Sequence, residues 1–165
     1  MKGHAIVFKK LLEKYEGFAG ASGVVVDVGG GTGVALKLIR GRSPSRVEHI
    51  EGDMFESVPA GDTILMKMIL HDWCDEDCLK ILKNCRKALP ETGKVVSVEP
   101  ILPESPEAST EAHCVFPVDM LMLLESPSGK ERTKKEFESL TIESGFTGFR
   151  PVCSFATVWV MEFTK

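Results

Sequence analysis

Residues 24–36 read Val-Val-Val-Asp-Val-Gly-Gly-Gly-Thr-Gly-Val-Ala-Leu, a pattern that few folds accommodate. A β-branched run broken only by Asp27 suits a strand buried on both faces of a parallel sheet. Gly29, Gly31 and Gly33 then let the backbone turn sharply and approach a ligand closely, because no Cβ stands in the way. The free N–H groups of the helix that follows point toward whatever lies there. Strand, turn and helix start in that order predict an α/β domain with its site at the turn; the plainer alternative is a tight connection that binds nothing.

The ligand is narrowed by what the loop lacks. A dinucleotide fingerprint needs a third glycine where Val34 stands, and a phosphate loop needs Gly-Lys-Ser/Thr where Gly33-Val34 stands. What remains, Asp27-x-Gly29-x-Gly31-x-Gly33, resembles motif I of the class I S-adenosylmethionine (SAM) methyltransferases. By that resemblance the loop wraps the amino-acid end and ribose of SAM and binds no phosphate.

The rest of the chain alternates strand and helix signals. Residues 5–15 carry Ile6, Leu11, Leu12 and Tyr15 at approximately helical spacing, and residues 34–39 begin a short crossover helix. Residues 47–50 read as a strand, 55–61 as a loop, and 63–70 as a buried strand interrupted by Lys67 alone. Asp75 is expected to cap a helix over 76–89 whose apolar face is Cys78, Leu82, Cys85 and Leu89. A strand over 94–98 follows, with Glu99 at its edge, then a surface loop over 102–110 and an apolar segment over 118–124. Residues 133–144 read as a helix with Phe137, Leu140 and Ile142 inward, and 149–154 with 157–163 as a closing hairpin. The expected architecture is α/β and Rossmann-like: a mostly parallel sheet with helices on both faces and a C-terminal antiparallel hairpin.

Composition sets the outer bounds. The 165 residues suit a single domain, 1–165, able to remove roughly 70% of its unfolded surface from water. A net charge of -4 with scattered Lys and Arg argues against nucleic acid and gives no polybasic membrane signal. No apolar run approaches the roughly 20 residues of a membrane span. Five cysteines, an odd number at low density, read as reduced thiols in a cytoplasmic protein.

In an open parallel sheet, ligands sit beyond the carboxyl ends of the strands. The glycine loop, His71 and Glu99 all fall at such ends. A zinc site from His71, Cys74, Cys78 and Cys85 is the weaker alternative, because Cys78 and Cys85 fit the apolar face of a helix.

Four longer segments make the resemblance specific. They are Gly52-Asp53-Met54-Phe55; Met66-Lys67-Met68-Ile69-Leu70-His71-Asp72-Trp73; Gly93-Lys94-Val95-Val96 through Glu99-Pro100-Ile101-Leu102-Pro103; and Gly129-Lys130-Glu131-Arg132-Thr133. In this order they resemble the plant caffeic-acid and flavonoid O-methyltransferase family, over residues 5–165. The resemblance implies transfer of a methyl from SAM to a hydroxyl of a small aromatic, without a metal. It implies His71 as general base, Glu99 and Glu131 flanking it, and Asp72 in support. It further implies Gly29, Gly31, Asp27, Asp53, Met54 and Lys67 at SAM, with Trp73 near the adenine. A phenol with pKa near 10 is a poor nucleophile at neutral pH, so an imidazole that takes its proton fits the chemistry. Lys67, in a strand otherwise apolar, needs a polar partner or a route to solvent.

The departures from the family are equally specific. The family carries an N-terminal helical region that mediates homodimerisation and closes over the acceptor, and this chain starts after it. Between the glycine turn and Gly52-Asp53-Met54 the family has a further strand ending in an Asp that holds the SAM ribose, then a helix; here residues 40–46 replace both. The expectation is that residues 47–50 move in beside 24–28, with Glu51 as a substitute ribose acid. Ser126 stands where the family has an acceptor-side Asn, Met68 replaces an aromatic residue, and Pro100 follows Glu99. The alternative function is therefore a shortened, inactive family member that at most binds SAM or a full-length partner.

Overall fold

Strands that are apolar on both faces must be covered twice. The chain meets this demand with a mixed sheet between two helical layers, in a computed structural model that describes residues 2–18, 23–40, 50–126 and 128–165. Strands β1 (Val25–Val28), β2 (Thr63–Lys67) and β3 (Lys94–Leu102) pair in parallel. The closing hairpin, β5 (Gly148–Phe155) and β6 (Val158–Thr164), joins antiparallel, giving the order β1-β2-β3-β6-β5. A two-residue strand, β4 (Arg132–Thr133), pairs in parallel with Ile101 and Leu102 at the far end of β3.

Alternation along the strands divides the core. Ile64, Met66 and Val95 face the layer of α3 (Asp75–Ala88) and α5 (Lys134–Glu143), where Cys78, Ile81, Leu82, Cys85, Phe137 and Leu140 are buried. Leu65, Val96 and Val98 face the layer of α1 (Lys2–Lys14) and α2 (Val34–Arg40), which supplies Phe8, Leu11, Leu12, Ala35 and Ile39. Side chains of this size each stabilise by about 1.5–3 kcal/mol when fully buried. The remaining helix, α4 (Thr110–Glu125), begins where the Ser109 side chain accepts the Ala112 N–H, and it contains Pro117. Among the described residues no helix is long and apolar enough to cross a membrane.

Several elements depart from the sequence reading. The strand expected over 63–70 ends at Lys67, because Met68 adopts a left-handed φ of 56° and the chain turns into a 3-10 helix over Leu70–Asp72. Asp75 does not cap α3: Cys74 occupies that position without a side-chain capping bond, and the Asp75 carboxylate is held by Arg132 and Lys130. β3 runs four residues beyond Val98, so Glu99 and Pro100 lie inside a strand. The apolar segment 118–124 is the second half of the longer α4, and its Met120, Leu121, Leu123 and Leu124 are exposed. Ile142 is also exposed, since the inward face of α5 is completed by Thr141. The helix itself is capped by Thr133 and Glu136 in a reciprocal box. The expected strand over 47–50 lies outside the described residues except for Ile50, which is exposed and in no strand. Among the described residues β1 has β2 as its pairing partner.

One ion cluster ties the hairpin to the parallel strands and to the chain just after α1. Buried Glu162 accepts hydrogen bonds from the Tyr15 hydroxyl at 2.7 Å, Lys94 Nζ at 2.6 Å and Arg150 Nη2 at 2.6 Å. Burial alone would raise its pKa; the bonds from Arg150, Lys94 and Tyr15 outweigh that and hold it at about 2. A carboxyl depressed in this way stabilises the fold above its ordinary value near 4.5, and the contribution is lost as pH falls through about 2. Arg150 is mostly exposed, so its share is small. Glu162→Gln is expected to cost about 1–3 kcal/mol at pH 7. Its deficit against the unmodified chain should shrink below pH 4, as urea unfolding at pH 7, 4 and 3 will show; an equal deficit at all three would refute the assignment.

Candidate active site

The turn after β2 is where the chain must satisfy buried main-chain groups without a ladder. Met68 keeps a last sheet bond, donating to Val98 O at 3.0 Å, while its left-handed backbone costs about 1 kcal/mol for a side chain of this kind. Beyond it, Glu99 Oε1 accepts from the N–H groups of both Ile69 and Leu70, at 2.9 and 3.0 Å. Carbonyls are taken from the opposite side. The Lys130 N–H donates to His71 O at 2.9 Å, and Ser126 Oγ donates to Asp72 O at 2.8 Å. Arg132 donates to Leu70 O at 2.7 Å and to Trp73 O at 2.8 Å. Gly129 allows this approach, since a Cβ there would lie 2.7 Å from His71 O.

The turn presents a buried imidazole with one nitrogen committed. His71 Nδ1–H donates to Glu131 Oε1 at 2.9 Å, because an ionised carboxylate can only accept. In the neutral imidazole that leaves the lone pair on Nε2, which lies 3.5 Å from Asp72 Oδ1. Burial on its own would lower the imidazole pKa. The hydrogen bond to Glu131 and the charges of Glu99, Glu131 and Asp72 more than compensate, and the net direction is upward. Glu99 is fully buried, and desolvation, offset in part by His71 and the two amide bonds, pushes its carboxyl up to about 7. Glu99 Oε2 and Glu131 Oε2 are both buried without a hydrogen-bond partner among the described residues.

A second group of residues surrounds the glycine turn. Gly29, Gly31 and Gly33 take φ of 67°, 53° and 70°, the left-handed region that glycine alone enters freely. They line a cleft of about 1100 Å³ with Asp27, Glu51 and Met54. Asp27 Oδ2 is buried there without a hydrogen bond among the described residues. Desolvation raises its pKa to about 6, and the nearby Lys67 charge lowers it only in part. Lys67 itself lines a smaller, largely apolar pocket of about 200 Å³ with Phe8, Leu11, Met68, Pro100 and Val118. Lys67 thus lines one pocket while its charge acts on the acid of the other.

The structure therefore brings together His71, Asp72, Glu99 and Glu131 as one cluster, and Asp27, Gly29, Gly31, Glu51 and Met54 as another. Asp53 lies beside the second cluster rather than in its lining: it is exposed, and its Oδ1 accepts the Phe55 N–H at 2.8 Å. Trp73 packs edge-on against Phe55, with ring centroids 4.7 Å apart. The zinc alternative is not supported, since Cys78 Sγ bonds to Leu70 O and Cys85 is buried in the core. Sequence reasoning missed Arg132, a wholly buried guanidinium in the Gly129 to Thr133 segment. The one signal for it was its position beside Glu131.

A family model described as an O-methyltransferase domain matches residues 37–147. The caffeic acid 3-O-methyltransferase of Catharanthus roseus is 47% identical over 185 aligned positions, which take in 100% of this chain and 51% of that protein. The tricetin 3',4',5'-O-trimethyltransferase of Triticum aestivum is 48% identical over 100% of this chain and 52% of its own length. The chain thus spans about half the length of the curated relatives it matches. The alignments are longer than the 165 residues of the chain, so these relatives carry additional residues within the matched span. Among solved structures, the mitomycin 7-O-methyltransferase MmcR superposes with a TM-score of 0.82 at 27% identity, over 99% of this chain and 54% of that one. The calicheamicin-biosynthesis methyltransferase CalO1, solved with SAH bound, gives 0.80 at 28%, with the same coverage of each chain.

The electrostatics of His71 lead to a direct measurement. Its imidazole C–H resonances should titrate above the ordinary value near 6.5. Glu131→Gln leaves a neutral carbonyl acceptor but removes the negative charge that favours the imidazolium, so the midpoint should move down. A midpoint that stays in place in a folded Glu131→Gln chain would contradict the pairing.

Proposed function

The chain belongs to the O-methyltransferase domain family, and we propose that it transfers the methyl group of SAM to a phenolic hydroxyl of a small aromatic, with His71 as general base. The observation that carries this reading is the His71–Glu131 pair, which keeps the Nε2 lone pair available while its other nitrogen is held. The resemblance of the surrounding segments to phenolic O-methyltransferases supports the substrate class.

The residues of the cleft fit the group the family uses. A buried carboxylate oxygen on Asp27 without a partner among the described residues and a glycine turn with left-handed backbone provide an anionic wall and a close main-chain approach. Asp27, Gly29, Gly31, Met54 and Glu51 would hold SAM, with Glu51 serving the ribose hydroxyls and Lys67, Asp53 and Trp73 at the margin. When bound, SAM supplies an electrophilic methyl on a sulfonium. Nε2 of His71 takes the phenolic proton as the oxygen becomes the nucleophile, and the nearby carboxylates stabilise the imidazolium that results. The apolar pocket beside Lys67 and Met68 offers a surface for the acceptor ring. The domain reading, a single catalytic unit over the whole chain, forms part of the same proposal. The gap against the relatives within the matched span favours the second reading, a family member that binds SAM without turnover.

Calorimetry separates these readings. SAM should bind in the micromolar range at pH 7.5, and Asp27→Asn should weaken it about tenfold, equivalent to about 1.4 kcal/mol. Because a cationic ligand favours the anionic acid, affinity should fall as pH drops through about 6, where Asp27 protonates. No heat at millimolar SAM would end the cofactor assignment. Where SAM binds, His71→Ala should lower methyl transfer to a catechol by about a hundredfold or more, leaving SAM affinity unchanged. Binding with no transfer by the unmodified chain would establish the second reading.

A further inference from the structure

A guanidinium with no exposed surface is costly unless its donors are directed at acceptors, and Arg132 divides its bonds between two main-chain carbonyls and one carboxylate. Nη1 donates to Leu70 O at 2.7 Å, and Nη2 donates to Trp73 O at 2.8 Å. Nη2 and Nε also share Asp75 Oδ1, at 2.8 and 3.0 Å. The two carbonyls belong to the residue before His71 and the second residue after it. The carboxylate belongs to the first turn of α3, so the fork spans the whole segment that carries the imidazole. Arg132 is also the residue next to Glu131, and β4 is pinned to β3 through the pairing of Arg132 with Ile101.

We propose that Arg132 is a positioning residue for His71, holding the main chain on both sides of the base at the place where Glu131 meets the ring. This deepens the reading of His71 as general base and rests on it. The geometry gives the reason. Glu131 grips the imidazole and Arg132 grips the backbone that bears it, so two consecutive residues set one distance, the 2.9 Å between Nδ1 and Oε1. A slip of the turn against β4 changes that distance directly. Asp119 and Lys130 fix the residues just before β4: the Glu131 N–H donates to Asp119 Oδ1 at 2.9 Å, and the Lys130 N–H donates to His71 O. A lysine at this position keeps the charge but cannot serve two carbonyls and a carboxylate with one planar fork.

The test is Arg132→Lys, read by NMR titration of His71 alongside circular dichroism, a thermal melt and SAM calorimetry. A folded Arg132→Lys chain with SAM affinity kept should show the His71 midpoint lowered by about half a pH unit or more, roughly a threefold loss of proton affinity, as the Glu131 contact loosens. Methyl transfer should lose about ten- to a hundredfold in kcat, with KM for the acceptor nearly constant. A lowered melting temperature with an unmoved His71 midpoint would overturn the proposal, leaving Arg132 a purely structural residue. Should Arg132→Lys fail to fold, Asp75→Asn decides instead. It loosens the same fork from a half-exposed position, and an unmoved His71 midpoint there is equally decisive against the proposal. The NMR readout does not depend on turnover: a chain that transfers no methyl would count against the proposed function, while the position of the His71 midpoint would still judge Arg132.

Discussion

The structure depends on how one buried turn satisfies its backbone. Between Lys67 and Asp75 the chain leaves a central parallel strand and enters a helix without ladder partners, while Ile69, Leu70 and His71 remain buried. Unpaired N–H and C=O groups at that depth would each cost on the order of 1–3 kcal/mol. Two charged side chains meet the demand from opposite sides: Glu99 accepts the amides, and Arg132 donates to the carbonyls. Glu99 reaches the turn because β3 continues past Val98, where its pairing with β2 ends, and Arg132 because β4 adds to the last residues of β3. The sheet therefore shapes this turn as directly as it shapes the core.

The same arrangement explains the unusual chemistry of the cluster. A buried imidazole is normally pushed toward neutrality, yet here three carboxylates surround it and reverse the direction. Two of those acids are anchored by groups other than the histidine: Glu99 by two amides, and the Glu131 main chain by Asp119. The ring is consequently placed by the framework rather than by its own packing. At the glycine turn the logic differs. There the backbone supplies the surface, and Asp27 Oδ2, in the lining of a wide cleft, has no hydrogen-bond partner among the described residues. Lys67 lines the small apolar pocket while its charge lowers the pKa of Asp27.

Much of this was legible in the residues themselves. The β-branched run and the three spaced glycines marked the first strand and its turn. The face of Cys78, Leu82, Cys85 and Leu89 marked α3, and the closing hairpin was visible as two apolar runs around a short connection. The errors share one cause: local propensity cannot see the acceptor or donor that a distant segment provides. Residues 68–70 read as strand because they are apolar, but Glu99, about thirty positions away, bonds the amides of Ile69 and Leu70 and lets the chain turn early. Asp75 reads as a cap because it precedes a helix, but Arg132 takes its carboxylate from 57 positions away. Ile142 reads as core by spacing, and the packing selects Thr141 in its place.

What the sequence determined by itself is therefore the set of elements, the α/β class and the residue types of both clusters. These follow from periodicity, from glycine and from the family resemblance, all of which are local or pattern properties. What only the tertiary structure decided is which nitrogen of His71 is free, which acids face it, and which side chains support the turn that carries it. Each of those depends on the register of β3 against β2 and β4. A shift of one residue there would turn Glu99 and Arg132 to the opposite face, and no property of the isolated segments fixes that register.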